Sequence, residues 1–247
     1  MTKWLSGEIV EKQQWCEDLF SLRIRTEPLE FSAGQFVNVG LEIDNKLVAR
    51  PYSLVSVPQD RLLEIHFNRV NSGLLSPRLA ALNAGDSIQV SDRANGLLTI
   101  KEVPEVPWLW LFATGTGIGP FLSILKTVEP WRRFRKIILC YSVKTLDKLA
   151  YHAELDKLQT EYPDQFCFVP LITQQKIDNT IHARITTVIA NGELENQVGL
   201  QLSGELNHIM LCGNSEMILQ VTALLESRGL RRHTRRVPGH IAIEKYY

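Results

Sequence analysis

Residues 114–120 read Thr-Gly-Thr-Gly-Ile-Gly-Pro and follow an apolar run from Trp108 to Ala113. Glycines let a backbone come close to a pyrophosphate, and a helix N-terminus offers unpaired N–H groups and the positive end of a dipole. Pro120 suits a first helical turn. The spacing lacks both the two residues before the last glycine that a dinucleotide fingerprint has and the lysine of a Walker loop. A phosphate-cradling turn and a plain tight turn from strand to helix both remain open. Arg50-Pro51-Tyr52-Ser53 places a cation, an aromatic face and a hydroxyl on one segment. The ring suits a planar group and the guanidinium suits phosphates, although an exposed edge strand with a surface Arg and a half-buried Tyr reads the same way. Gly73-Leu74-Leu75-Ser76-Pro77 is a second glycine-led turn into a helix, with Ser76 as the expected N-cap and Pro77 as the first helical residue. An ordinary N-cap and a second phosphate cradle both fit it.

The elements that must hold these residues change character along the chain. Val37, Val39, Leu41 and Ile43 alternate with polar or small residues, as do Leu22 with Ile24 and Leu63 with Ile65 and Phe67. That period of two buries one face of a strand and wets the other. Turn signals at Ala33-Gly34, Asp44-Asn45, Asn71-Ser72-Gly73 and Ala84-Gly85-Asp86 separate the runs, so the first hundred residues predict a small antiparallel β-barrel. Val103-Pro104-Glu105-Val106-Pro107 is a stiff connector. It places the expected domain boundary between residues 1–102 and 103–247. Beyond it, near-continuous apolar runs (Trp108–Ala113, Ile137–Tyr141, Phe166–Ile172, Ile209–Cys212) alternate with helical patterns over Leu149–Tyr162 and Glu216–Arg228, the latter stopped by Gly229. Strands buried on both faces with helices between them predict a doubly wound parallel α/β domain.

Composition narrows the function classes. The 247 residues are 45% apolar and 22% charged, with 27 Lys plus Arg balancing 27 Asp plus Glu. Zero net charge argues against a general nucleic-acid binder, which needs a basic field. Cys16, Cys140, Cys167 and Cys212 stand far apart, so neither a disulfide framework nor a structural metal site is expected. No signal-peptide core opens the chain. The uncharged stretch Val106–Leu125 is broken by Gly115, Gly117, Gly119, Pro107 and Pro120 and reads as strand, turn and helix, not a membrane span. A cytoplasmic protein is the expectation.

The order of these motifs is similar to that of the ferredoxin–NADP(H) reductase family, most closely its bacterial flavodoxin/ferredoxin branch. The resemblance spans the whole chain: Arg50–Ser53, Gly73–Pro77, the loop at 115–119, Leu211-Cys212-Gly213-Asn214 and an aromatic C-terminus. It implies a FAD-binding barrel followed by an NADP-binding α/β domain, with FAD held non-covalently and NADPH as co-substrate. Arg50 would take the pyrophosphate, Tyr52 the isoalloxazine and Ser53 the region of flavin N5, with Pro51 between them. His66, Phe67 and Asn68 would line the adenosine and ribityl side, and Leu74, Leu75 and Ser76 would offer backbone N–H groups. Thr116 would serve both cofactors. Cys212 and Glu244 would frame the nicotinamide, bordered by Gly213 and Asn214, and Ser53, Cys212 and Glu244 form the implied catalytic set. Tyr246 would lie by the flavin and Tyr247 on the adenine. For the 2′-phosphate, Arg184 matches the family while Lys144 and Gln174 each stand where relatives carry Arg; Thr173 adjoins them and Lys176 is a compensating cation nearby. An NADPH preference is expected.

Two basic clusters remain. Arg132, Arg133, Arg135 and Lys136 read as a solvated helix end. Arg228, Arg231, Arg232, Arg235 and Arg236 read as a rim that steers an acidic carrier, ferredoxin or flavodoxin. The chain is expected to act as a monomer. Rival readings are a free-flavin reductase, an oxygenase reductase, or a non-catalytic electron-transfer subunit. The cysteine count disfavours those that carry an iron–sulfur domain.

Overall fold

The computed structural model describes residues 3–204 and 206–246 and divides into two compact units. One runs to Thr99 and takes in Gly119–Thr127; the other holds Ile100–Ile118 and the chain from Val128 onward.

The first unit contains β1 (Trp4–Cys16), β2 (Leu19–Arg25), β3 (Phe36–Ile43), β4 (Lys46–Ser53), β5 (Leu63–Asn68), helix α1 (Ser76–Ala81) and β6 (Ser87–Ser91). The strands lie in the order β4-β3-β6-β1-β2-β5, each pair antiparallel. An antiparallel bridge from Leu54 to Ile65, with Val55 N–H donating to the Glu64 carbonyl at 2.8 Å, joins the outer strands and closes the sheet. The alternating residues read from the sequence, among them Val37, Val39, Leu22, Ile24 and Ile65, form its core with Ile9, Phe20, Phe67 and Leu79. β1 escapes a period-two reading because its register shifts between Ile9 and Glu11 and again between Gln14 and Cys16; each irregularity moves the buried positions out of phase.

The second unit contains β7 (Trp108–Thr114). The chain then forms α2 (Gly119–Leu125), which groups with the first unit, and returns as α3 (Glu129–Arg133), β8 (Lys136–Val143), α4 (His152–Glu161) and β9 (Phe166–Ile172). Helices α5 (Ile185–Ala190) and α6 (Glu193–Val198) precede β10 (Asn207–Asn214), α7 (Ser215–Ser227) and β11 (Ile241–Tyr246). The sheet order β11-β10-β7-β8-β9 is parallel throughout. Trp110, Phe112, Ile138, Ile209 and Leu211 bury one of its faces against Val188, Val221 and Leu225 of the helices. The buried Asn207 is satisfied on both ends of its amide: it accepts from Trp110 Nε1 at 2.6 Å and donates to the Ser203 carbonyl at 2.6 Å. Successive strands run outward from β7 to β9, and then the chain crosses back to β10 on the other side. The direction of winding therefore reverses beside β7, and in open parallel sheets that is where ligands bind, at the carboxyl ends of the strands.

Candidate functional site

At the reversal point the carboxyl ends of β7 and β10 are locked together by the Thr114 hydroxyl and by close backbone packing. Thr114 Oγ1 accepts the Asn214 N–H at 2.8 Å. A Cβ on Gly117 would overlap the Cys212 carbonyl and come within 2.8 Å of Gly213 Cα. Gly213, at φ +130°, lies so close that a Cβ would overlap Thr114 Oγ1. Gly115 differs: its φ is +52° and nothing lies within 4 Å of a Cβ there. Two glycines thus serve close strand-to-turn packing, while Gly115 leaves open space in front of the turn. Thr116 is half-buried in the same turn. Asn214 Oδ1 accepts from the N–H groups of Glu216 and Met217 at 2.9 and 3.1 Å and so caps α7, a role that the sequence reading did not give it. Cys212 is fully buried, and Glu244 is its register partner on β11. The Tyr246 side chain and Tyr247 lie outside the described residues.

A second group gathers at the ends of β8 and β9. The Lys144 carbonyl accepts the Gln174 N–H at 2.9 Å, and the Val143 carbonyl accepts that of Thr173 at 3.0 Å. Lys144, Gln174, Lys176 and Arg184 are exposed on this rim and Thr173 is half-buried. Arg184 stands immediately before α5 in extended conformation, with φ −85° and ψ 154°.

On the barrel, Arg50 and Pro51 are exposed on β4, with Arg50 Nη1 donating to its neighbour's carbonyl at 2.8 Å. That bond uses one of five guanidinium donors. Tyr52 is fixed edge-on to Phe67, ring centroids 5.9 Å apart, and Phe67 stacks on Phe20 at 5.9 Å. Burial pushes the Tyr52 phenol up to about 12, against the opposing influence of Arg50. Ser53 is buried at the end of β4. His66 and Phe67 point to opposite faces of β5. Phe67 is core, and His66 Nδ1 lies 3.0 Å from Ser21 Oγ, which accepts from Trp15 Nε1 at 2.8 Å. Their side chains are therefore committed to protein contacts; Asn68 is half-buried beside them. Burial lowers His66 to about 3, so it is neutral near pH 7.

The expected N-cap role of Ser76 is not observed. Leu75 precedes the helix in αR geometry, and Ser76 Oγ instead accepts the Val70 N–H at 3.0 Å, closing the turn before α1. Pro77 sits in the first turn as expected, while Leu74 is exposed and Leu75 buried.

The basic clusters resolve into fixed and free charges. Arg133 donates to the carbonyls of Ile100 and Val103, and Lys136 to that of Asp164, so these two are structural, while Arg132 and Arg135 are exposed. Arg228 leaves the second cluster: it pairs with Glu195 at 2.7 Å and donates to the Ile189 carbonyl. Arg232 pairs with Glu226 at 3.3 Å. Thr234 and Val237 exchange backbone hydrogen bonds at 3.0 and 3.2 Å, forming a turn whose tip is the exposed pair Arg235 and Arg236. At the base of this hairpin His233 meets the fully buried His208 edge-on, ring centroids 5.3 Å apart. Burial first, then His233, lowers His208 to about 3. Among the described residues no cluster of His, Cys, Asp and Glu could hold a metal, and no helix is long and apolar enough to cross a membrane.

Residues 6–93 match the oxidoreductase FAD-binding domain and residues 111–223 the oxidoreductase NAD-binding domain. The chain is 39% identical to the flavodoxin/ferredoxin–NADP reductase of Escherichia coli K12 over the full length of both. It belongs to the flavodoxin/ferredoxin–NADP reductase family. A ferredoxin–NADP reductase of Pseudomonas aeruginosa is 31% identical, covering all of this chain and 99% of the relative. The crystal structure of a Neisseria gonorrhoeae ferredoxin NADP+ reductase with bound FAD and NADP superposes with a TM-score of 0.93 at 30% identity, covering 98% of each chain. The antiparallel barrel and the parallel sheet are thus the family's FAD and NAD domains, as the motif order implied.

Proposed function

We propose that the chain is a FAD-dependent reductase that moves electrons between NADPH and a one-electron carrier, ferredoxin or flavodoxin. The observation that carries this is the pairing, in one chain, of an FAD-type barrel bearing Arg50, Tyr52 and Ser53 with a parallel sheet whose reversal point is shaped by Gly115, Gly117 and Gly213. Bound FAD supplies the chemistry that accepts a hydride and releases electrons one at a time. The residues present fit that group: Arg50 retains guanidinium donors for a pyrophosphate, and Tyr52 is held in one orientation by Phe67. The N–H groups of Leu74, Leu75 and Ser76 would meet phosphate oxygens, since those of Arg78 and Leu79 in the same turn donate to the Leu75 carbonyl, each at 3.0 Å.

In this reading Ser53 would hydrogen-bond at flavin N5, Cys212 and Glu244, register partners on adjacent strands, would frame the nicotinamide, and Ser53 and Glu244 would help hold proton and charge near N5. Gly213, Asn214 and Thr116 bind the dinucleotide backbone. Lys144, Thr173 and Arg184 take the 2′-phosphate, with Lys a point charge and not a bidentate fork. Arg231, Arg235 and Arg236, and more weakly the ion-paired Arg232, steer an acidic carrier. Under anaerobic conditions, limiting NADPH is expected to bleach the flavin absorption far faster than NADH. R184A should raise KM for NADPH about tenfold and leave that for NADH unchanged. A colourless protein that binds no added FAD would overturn the proposal.

A further inference from the structure

The rim that carries Lys144, Gln174 and Arg184 is laced together by two side chains outside the family resemblance. Gln175 Oε1 accepts the Leu146 N–H at 2.9 Å, tying the loop after β9 to the loop after β8. His182 Nδ1 lies 2.9 Å from the Ile172 carbonyl and 2.8 Å from the Gln175 carbonyl. Carbonyl oxygens only accept, so Nδ1 carries a hydrogen, and Nε2 is the ring's second polar atom on an exposed residue.

The backbone fixes which way that residue faces. Ile181 forms a parallel bridge to Leu171, and its N–H and carbonyl bond to Pro170 and Ile172 at 3.1 and 3.0 Å, so the segment is extended. Side chains alternate along extended chain. Ile181 and Ala183 pack on the apolar core of the sheet, which places His182 and Arg184 together on the outer side.

A phosphate monoester carries a charge between −1.5 and −2 near neutrality. On this rim it meets Lys144 and Arg184, while Gln174 contributes no charge. A neutral imidazole offers Nε2 only as an acceptor, which repels phosphate oxygen; the imidazolium offers it as a charged donor. The charged groups on the segments packed here are Lys144, Asp147, Lys148, Lys176, Asp178 and Arg184.

We propose that His182 is a specificity-determining residue of this rim, whose imidazolium joins Lys144 and Arg184 on the 2′-phosphate and makes discrimination between NADPH and NADH depend on pH. The inference rests on the reading of Lys144 and Arg184 as the 2′-phosphate site.

The test is calorimetric titration of the FAD-loaded enzyme with adenosine 2′-phosphate and with adenosine 5′-phosphate at pH 5.5 and pH 8. The proteins are wild type, H182N, H182K and R184A. Comparing wild type with H182N at one pH cancels the ligand's own titration. H182N, which keeps a donor for the two carbonyls, should weaken adenosine 2′-phosphate about tenfold at pH 5.5 and less than about twofold at pH 8, the scale of one charge-assisted hydrogen bond. It should leave adenosine 5′-phosphate unchanged. H182K, compared with H182N at the same pH, should bind adenosine 2′-phosphate about tenfold more tightly at both pH 5.5 and pH 8. Equal weakening by H182N at both pH values would reduce His182 to a loop tie and overturn the proposal, as would no weakening while R184A still binds poorly. If R184A also binds normally, the phosphate site itself is elsewhere and both readings fall.

Discussion

The two candidate sites are held in place by different means. On the barrel, position comes from side chains: Phe67 braces Tyr52, Phe20 braces Phe67, and Ser53 is buried where its strand ends. At the reversal point of the parallel sheet, position comes from main chain, because Gly117 and Gly213 bring the turn against the end of β10 with no room for a Cβ. Side-chain bracing degrades in steps as groups are trimmed. Backbone contact does not, since no rotamer relieves it. The first site should therefore tolerate substitution with graded losses and the second should fail abruptly.

The sharpest way to break that contrast is a pair of glycine substitutions two residues apart in the chain but opposite in surroundings. G117A sets a methyl group against the Cys212 carbonyl and should cost on the order of 4 kcal/mol, read from urea unfolding. G119A meets the Val55 methyl at 3.5 Å and Ser53 atoms at 3.8 Å, all ordinary contact distances, and should cost less than about 1 kcal/mol. Equal effects would dissolve the distinction. Next in size, Y52A removes the braced ring and should weaken FAD about thirtyfold, by ultrafiltration of the flavin, with the fold retained. Retention of FAD as tightly as in the wild type would remove Tyr52 from the flavin site.

The two units share one vulnerability, a buried neutral histidine in each. His66 and His208 are both depressed to about 3. The unfolded chain binds their protons near the ordinary histidine value, so their contribution is full above about pH 6.5 and declines as pH falls from there toward 3. Each should remove about 1.4 kcal/mol per pH unit in that window, and H66N or H208N should each flatten part of the slope. A stability that stays level between pH 6.5 and 4.5 would show that these rings are protonated in the fold. Smallest of all, R235E with R236E should slow carrier association several-fold at low salt, with the difference shrinking as ionic strength rises.

What the sequence disclosed follows the same division. Residues that act through pattern were readable: the alternation of β3, the apolar runs of β7 to β10 and the Gly229 stop after α7 all appear where expected. β1 was hidden by its two register shifts. The short helices α5 and α6 have too few turns to display a period of 3.6. Contacts between distant residues were invisible in principle. Nothing local to Ser76 says that its hydroxyl is taken by Val70, and nothing near Arg228 announces Glu195. The five closely spaced arginines at 228–236 carried one uniform signal, and only packing separates the ion-paired Arg228 and Arg232 from the tip at Arg235 and Arg236. A glycine motif, likewise, does not say which glycine faces a ligand and which faces its own chain.

The placement of Gly119–Thr127 with the barrel has a consequence for how the protein is made. Ser123 donates to the Ser56 carbonyl at 2.6 Å, and the Ile124 side chain lies beside Gly34. A nascent chain that has emerged only through the sixth strand still lacks this helix, and must synthesise the first strand of the next sheet before the barrel can receive it. The ribosome therefore imposes an order in which the amino-terminal unit waits on sequence from beyond its own apparent end, and a fragment terminated at residue 102 would expose the surface that α2 was meant to cover.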